Sequence, residues 1–153
     1  MAGPVKLRPA TERDVPTILG LIRGIAEYER LSHEVEATEA LLREHGFGRR
    51  PVYEAILAER DGRAVGFALY FFSFSTFKAR PTLYLEDLFV IPAERRGGIG
   101  SHLLTRLAQI AVVAAVALAV AGGAQKANAL ITTPGELERI ADLPARGWWS
   151  GDL

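Results

Sequence analysis

The sequence predicts a single α/β domain, and three observations carry that prediction. Helical hydrophobic periods are interleaved with strand-like runs over residues 5–112, as expected of helices packed on a sheet. The length, 153 residues, is that of one domain, large enough to bury roughly 68–70% of the surface its unfolded chain exposes. The composition is 49% hydrophobic and 24% charged, with 18 basic and 18 acidic residues. Ample apolar surface without net charge is the opposite of a disordered chain.

Val5 to Arg8 reads as a first strand, stopped by Pro9. Thr11-Glu12-Arg13-Asp14 resembles a capping box, in which the Thr hydroxyl accepts from a free backbone N–H and the acid three residues on answers back. Val15, Ile18, Leu19, Ile22, Ile25 and Ala26 then recur at helical spacing, one apolar face of a helix that ends near Tyr28 or Glu29. A second short helix fits Thr38 to His45, with Gly46 as its C-terminal stop. Tyr53 to Glu59 reads as a strand and Ala64 to Phe74 as its return. Asp61-Gly62 joins them, a pair suited to the two positive-φ positions of a type I′ turn. Thr82 to Val90 is a further strand, ended by Pro92, and Leu103, Leu104, Leu107, Ala108 and Ala111 mark the helix after it.

The charge balance argues against a general nucleic-acid binder, which carries a strong basic excess. There is no Cys, so disulfides, thiolate metal sites and a cysteine nucleophile are excluded. His33, His45 and His102 lie far apart, without metal-ligand spacing; they read as surface or helix-end residues, and no metal is expected. Residues 1–20 mix charge and proline and lack an apolar core segment, so no targeting segment is expected. With the lack of Cys, this makes the expected compartment cytoplasmic.

The chain changes character near residue 107. All seven Phe and four Tyr lie at or before Phe89, and residues 107–125 carry no charge. Ten of the 23 residues from Leu107 to Ala129 are Ala. The uncharged run approaches the length of a membrane span, yet it is diluted by Ala, Gly, Gln109 and Gln125 and lacks a flanking basic cluster. The expectation is therefore no membrane span but a buried helix followed by a buried strand, Val113 to Val120, beside the Thr82 to Val90 strand. Thr133-Pro134-Gly135-Glu136 reads as the start of a last helix ending near Pro144. The abrupt loss of charge and aromatics fits an altered reading frame or a genuine divergence equally.

Between the Thr82 to Val90 strand and the next helix lies Arg95-Arg96-Gly97-Gly98-Ile99-Gly100-Ser101. Glycines let a backbone approach a ligand closely, and a helix start offers free N–H groups and the positive dipole end to a phosphate. Taken alone, the segment is either a phosphate-binding loop or a plain tight turn. It is not a Walker loop, since no Gly-Lys-Ser/Thr follows, and not a dinucleotide fingerprint, since Leu103 stands at the third Gly position. Arg95-x-x-Gly98-x-Gly100 after a strand resembles the pyrophosphate loop of the GNAT superfamily of N-acetyltransferases. Further segments resemble the diamine (spermidine/spermine) and thialysine branch of that family: Leu7-Arg8-Pro9-Ala10-Thr11, Ala26-Glu27-Tyr28-Glu29, His45-Gly46-Phe47-Gly48, Val65-Gly66-Phe67-Ala68-Leu69-Tyr70 and Tyr84-Leu85-Glu86-Asp87-Leu88-Phe89-Val90. They occur in family order and cover about residues 5–112.

The resemblance implies a central mixed, mostly antiparallel sheet flanked by helices, acetyl-CoA as co-substrate, a small-molecule amine as acceptor, and a homodimer. It implies that the backbone of Leu88, Phe89 and Val90 pairs with the pantetheine arm. The loop itself, Arg95, Arg96, Gly97, Gly98, Ile99, Gly100 and Ser101, would hold the pyrophosphate through its N–H groups. Arg96 stands where the branch often has Gly, so its N–H is less freely placed. Tyr28 and Glu29 from the first helix, and Glu86 and Asp87 from the strand, would line the amine site, with Glu86 as proton acceptor or relay.

The chemistry asks for carboxylates independently. An alkyl ammonium with a pKa near 10.4 is about 0.04% neutral at pH 7, a handicap of roughly 4.6 kcal/mol for nucleophilic attack. A carboxylate can bind the cation and then accept its proton. An acidic Glu86-Asp87 pair among Leu83, Leu85, Leu88 and Phe89 needs such a reason. Six further acids between Glu27 and Glu44 against Arg30 and Arg43 would steer a cation, although Glu34 to Glu44 reads rather as a solvated helix face. One departure stands out. The family's Tyr that protonates the leaving thiolate has no counterpart, because no Tyr follows Tyr84, and the only later Asn is Asn128. Losing a positioned general acid typically costs 10²–10⁴ in rate. The predicted function is acetyl transfer from acetyl-CoA to a primary amine of a polyamine, diamine or lysine-like amino acid, by direct attack in a ternary complex. The alternative is a non-catalytic acyl-CoA-binding remnant.

Overall fold

The computed structural model describes residues 3–122. The first strand, β1 (Lys6–Pro9), includes the proline expected to stop it. Arg8 then fixes the entry to the first helix, donating to both carboxylate oxygens of Asp14 at 2.7 and 2.8 Å and to Glu59 at 2.7 Å. That pairing holds Asp14 well below the usual carboxylate range. The expected capping box forms: the Thr11 N–H donates to the Asp14 carboxylate at 2.7 Å, and the Thr11 hydroxyl donates to the same carboxylate at 3.0 Å. A single 3₁₀ turn, Glu12–Asp14, therefore precedes α1 (Val15–Glu29).

Helix α1 ends where its sequence predicts. Arg30 takes the left-handed conformation (φ 61°). Its N–H returns to the Glu27 carbonyl at 3.1 Å and that of Leu31 to Ala26 at 2.7 Å, the paired bonds of a Schellman ending with Arg in the glycine position. Tyr28 and Glu29 thus sit in the last turn. Helix α2 (Glu39–Phe47) is capped by the Thr38 hydroxyl, which accepts from the Leu41 N–H at 3.2 Å. It runs through Gly46 and stops at Gly48, not at Gly46 as expected. Gly46 is small for another reason: the Tyr53 ring lies where its Cβ would be, and the Tyr53 hydroxyl donates to the Leu42 carbonyl at 2.7 Å. The acids of this region behave as a solvated face. Glu39 and Glu12 flank Arg43, Glu34 lies beside His33, and all these side chains are largely exposed.

Strands β2 (Glu54–Arg60), β3 (Arg63–Ser75) and β4 (Arg80–Val90) complete an antiparallel sheet in the order β1-β2-β3-β4. Asp61 (φ 51°) and Gly62 (φ 76°) make the predicted left-handed pair between β2 and β3. Alternation along the strands puts Ala55, Leu57, Phe67, Leu69 and Phe89 on one face, packed with Ile18 and Leu21 of α1. The opposite face carries Ile56, Ala58, Ala68 and Tyr70, buried as well. Burial on both faces is why these strands read as nearly continuous apolar runs.

Helix α3 spans Ile99–Gly122 and includes Val113 to Val120, the segment expected as a strand. Five of the ten residues from 113 to 122 are Ala, the best helix former. Extending an existing helix costs far less than nucleating one. The parallel pairing expected of a mixed sheet is absent among the described residues, all of whose strand pairings are antiparallel. No helix among them is long and apolar enough to cross a membrane. The helix expected after Thr133, Asn128 and the Trp148-Trp149 pair lie outside the described residues.

Candidate active site

The last turn of α1 and the second half of β4 build the site. Gly24 lets them approach: a Cβ there would stand 2.9 Å from the Phe89 ring. The β3–β4 ladder then slips by one residue. Leu69 faces Asp87 while Tyr70 faces Leu85, which leaves Glu86 as an extra residue in β4. Bulges bend a strand and re-aim its side chains, often beside active sites. Asp87, opposite Leu69, falls on the sheet face that α1 packs against, and Glu86 is exposed beside it. Burial first, then Glu86, then Glu29 push the Asp87 carboxyl above the usual carboxylate range. Of the four residues predicted for the amine site, Glu29 and Glu86 therefore both act electrostatically on a third, Asp87.

The fourth, Tyr28, is 67% exposed and meets the predicted cofactor loop. The Arg95 guanidinium lies 4.5 Å from the Tyr28 ring centroid and 5.5 Å from that of Phe89. Its Nε donates to the Val90 carbonyl at 2.9 Å. Arg95 thus folds back onto α1 and β4, and one face of Tyr28 is already covered by a cation.

Hydrogen bonding sorts the three residues expected to meet the pantetheine arm. The Ile91 N–H donates to the Val65 carbonyl at 3.0 Å, so peptide groups directed at β3 alternate from Ile91 to Phe89. Leu88 and Val90 turn theirs to the outer edge, which has no strand partner among the described residues. Phe89 contributes its ring to the site while its peptide faces β3.

After β4, a 3₁₀ turn (Pro92–Glu94) leads into the exposed turn 95–98, and Ile99, Gly100 and Ser101 open α3. Gly98 is left-handed (φ 75°), and so is Arg96 (φ 68°). Arg96 adopts the glycine-like backbone despite its side chain, at a cost of roughly 1–2 kcal/mol. Arg96→Gly removes that strain and adds about 0.4–1 kcal/mol of unfolded-state entropy. The variant is expected to melt at or slightly above the parent temperature, and Arg96→Val below it, in paired thermal melts.

Asp87 makes a second prediction. A carboxyl with a raised folded-state pKa favours the folded state below its unfolded pKa, and this contribution is lost as pH rises through the folded value. Asp87→Asn is therefore expected to be more stable than the parent at about pH 7, with the gain vanishing near pH 3.9 and below. Denaturant titrations across that range check it.

Sequence reasoning missed Gly24, whose role depends on a ring 65 positions away, and the pair Arg60–Glu94, which joins the end of β2 to the residue before the loop. Nothing local in the sequence announces either. Among the described residues no cluster of His, Asp and Glu could hold a metal ion.

A sequence model of the acetyltransferase (GNAT) family matches residues 19–131. The chain belongs to that family and is an N-acetyltransferase, of the class that draws its acetyl group from acetyl-CoA. The match continues past residue 112, where the recognisable segments end. Thialysine N-epsilon-acetyltransferase of Bos taurus is 43% identical over 116 residues, 71% of this chain and 68% of that protein. Its Sus scrofa counterpart is 37% identical over 157 residues, covering 95% and 90%. The human spermidine/spermine N(1)-acetyltransferase-like protein 1 is 37% identical over 114 residues, 70% of this chain and 16% of that one. Among solved structures, an aminoglycoside acetyltransferase from a soil metagenome in complex with sisomicin superposes with a TM-score of 0.59 at 22% identity, covering 69% and 68% of the two chains. The aminoglycoside N-acetyltransferase AAC(6')-Iy in complex with CoA gives 0.55 at 18%, covering 71% and 69%. At these identities the structural likeness speaks for the fold.

Proposed function

We propose that this chain acetylates a primary amine of a small cationic substrate, a polyamine, a diamine or a lysine-like amino acid, by direct attack on acetyl-CoA in a ternary complex. The observation that supports this reading is the bulge in β4 at Glu86, next to Asp87, whose carboxyl also feels Glu29 of α1. Three carboxylates bind an ammonium well, and the family's acetyl donor supplies the electrophile. The named substrates of the thialysine and spermidine/spermine relatives are cationic amines of this kind. Glu86 takes the amine proton, the nitrogen attacks the thioester carbonyl carbon, and the C–S bond breaks. The nitrogen sheds its second proton as the amide forms, and that proton reaches the thiolate, conjugate base of a thiol with pKa about 8.5, through water, since no Tyr follows Tyr84. The outward peptide group of Leu88 and the Val90 N–H pair with the pantetheine arm, the Val90 carbonyl being taken by Arg95, and the N–H groups of residues 96–101 receive the pyrophosphate.

Release of CoA from acetyl-CoA, followed with a thiol reagent against a panel of polyamines and lysine analogues, tests the proposal. Amine-dependent release above the no-amine rate supports it and names the substrate class. CoA binding without amine-dependent release would instead identify an acyl-CoA-binding remnant.

A further inference from the structure

We infer that Arg60 and Glu94 are positioning residues for the acyl donor. The inference rests on the proposed reading of residues 95–101 as the pyrophosphate loop. Arg60 is the last residue of β2, and Glu94 closes the 3₁₀ turn that immediately precedes Arg95. Their side chains form an ion pair, although β3 separates β2 from β4 in the sheet. Both are largely withdrawn from water, at 19% and 17% exposure. The second terminal nitrogen of Arg60 stands 3.8 Å from where a Cβ on Gly97 would be, so the guanidinium also lies under the turn itself. Its Nε is buried without a hydrogen-bond partner.

A pair this dry is a poor source of stability, because desolvating both charges offsets most of their attraction. What it supplies is register. The turn it braces holds one strained residue, Arg96 at positive φ, two positions before Gly98, which adopts that conformation freely, and such strained backbone persists only where the surroundings over-determine it. Arg60 and Glu94 fix the start of that turn to the rigid sheet, and with it the directions of the N–H groups that follow. Their action on the donor passes through the loop backbone.

The test compares acetyl-CoA with S-acetylpantetheine, which carries the same thioester and lacks the phosphates. Arg60→Met and Glu94→Gln are expected to raise KM for acetyl-CoA by on the order of tenfold. The kcat, the KM for the amine and the KM for S-acetylpantetheine should stay within about twofold. Arg60→Lys should restore part of the loss, because it returns the charge without the fork. Glu94→Gln keeps the shape and an acceptor for Arg60, and serves if Arg60→Met folds poorly. Equal losses for both donors would mark a general structural defect and overturn the inference, as would an unchanged KM for acetyl-CoA. If the parent protein uses S-acetylpantetheine as well as acetyl-CoA, the loop reading itself fails, a result separable from any effect of the variants.

Discussion

Glu86→Gln is expected to lower kcat for amine acetylation by about 10²–10⁴-fold while leaving the affinity for acetyl-CoA unchanged. The amide keeps the size of the side chain and much of its polarity, so the bulge survives, yet it cannot accept a proton at neutral pH. Because the loss falls on a step made only in the transition state, kcat and kcat/KM should drop together. The comparison with Asp87→Asn is what makes the result informative. Asp87 is partly buried and has its carboxyl pushed up by burial, Glu86 and Glu29, so it could accept the proton itself. If Asp87→Asn alone abolishes turnover and Glu86→Gln does not, the acceptor is Asp87. If Glu86→Gln carries the loss and Asp87→Asn mainly raises the KM for the amine, Glu86 accepts the proton and Asp87 holds the cation. Raising the assay pH should rescue Glu86→Gln in part, since the neutral amine fraction grows about tenfold per unit below its pKa.

That pair of acids was legible in the sequence as chemistry and illegible as geometry. Two adjacent acids in an apolar strand ask for an explanation on composition alone. Strict alternation, however, would place neighbours on opposite faces. Only the slip between Leu69 and Tyr70 shows how β4 accommodates the adjacent pair. A bulge is a property of two strands, and no single segment encodes it. Local signals fared well where the physics is local. The apolar period of α1 and the Asp61-Gly62 turn both appear as read. Gly46 misled because glycine has two uses. It can end a helix, or it can make room for a neighbour, and the neighbour here, Tyr53, lies seven positions on. The Val113 to Val120 segment misled because its Val and Leu content permits a strand only where no helix already runs into it. Arg96 was read as a misfit to a glycine position. The backbone instead keeps the glycine-like conformation and bears the strain.

Phe67→Ala should cost about 3–5 kcal/mol of stability, the largest effect expected of any single substitution outside Glu86 and Asp87. Phe67 is the largest fully buried side chain among the described residues. It stands opposite Phe89 across the β3–β4 ladder and packs in one cluster with Ile18 and Leu21 of α1 and Leu57 of β2. Truncation leaves a cavity under the helix that carries Tyr28 and Glu29 and beside the strand that carries Glu86 and Asp87. A loss of that size should lower the melting temperature by roughly 10–20 °C. Phe77 supplies the control, because its side chain is fully exposed at the β3–β4 connection (102%). Phe77→Ala removes the same atoms and should change stability by no more than about 0.5 kcal/mol. Denaturant unfolding of the two variants side by side checks the contrast. The activity of folded Phe67→Ala adds a second reading. Phe89 touches Gly24 on one side and Arg95 on the other, so loosening its support should raise the KM for the amine before the fold is lost. Similar losses for both Phe variants would mean that the cluster beneath the site is not what holds α1 and β4 together.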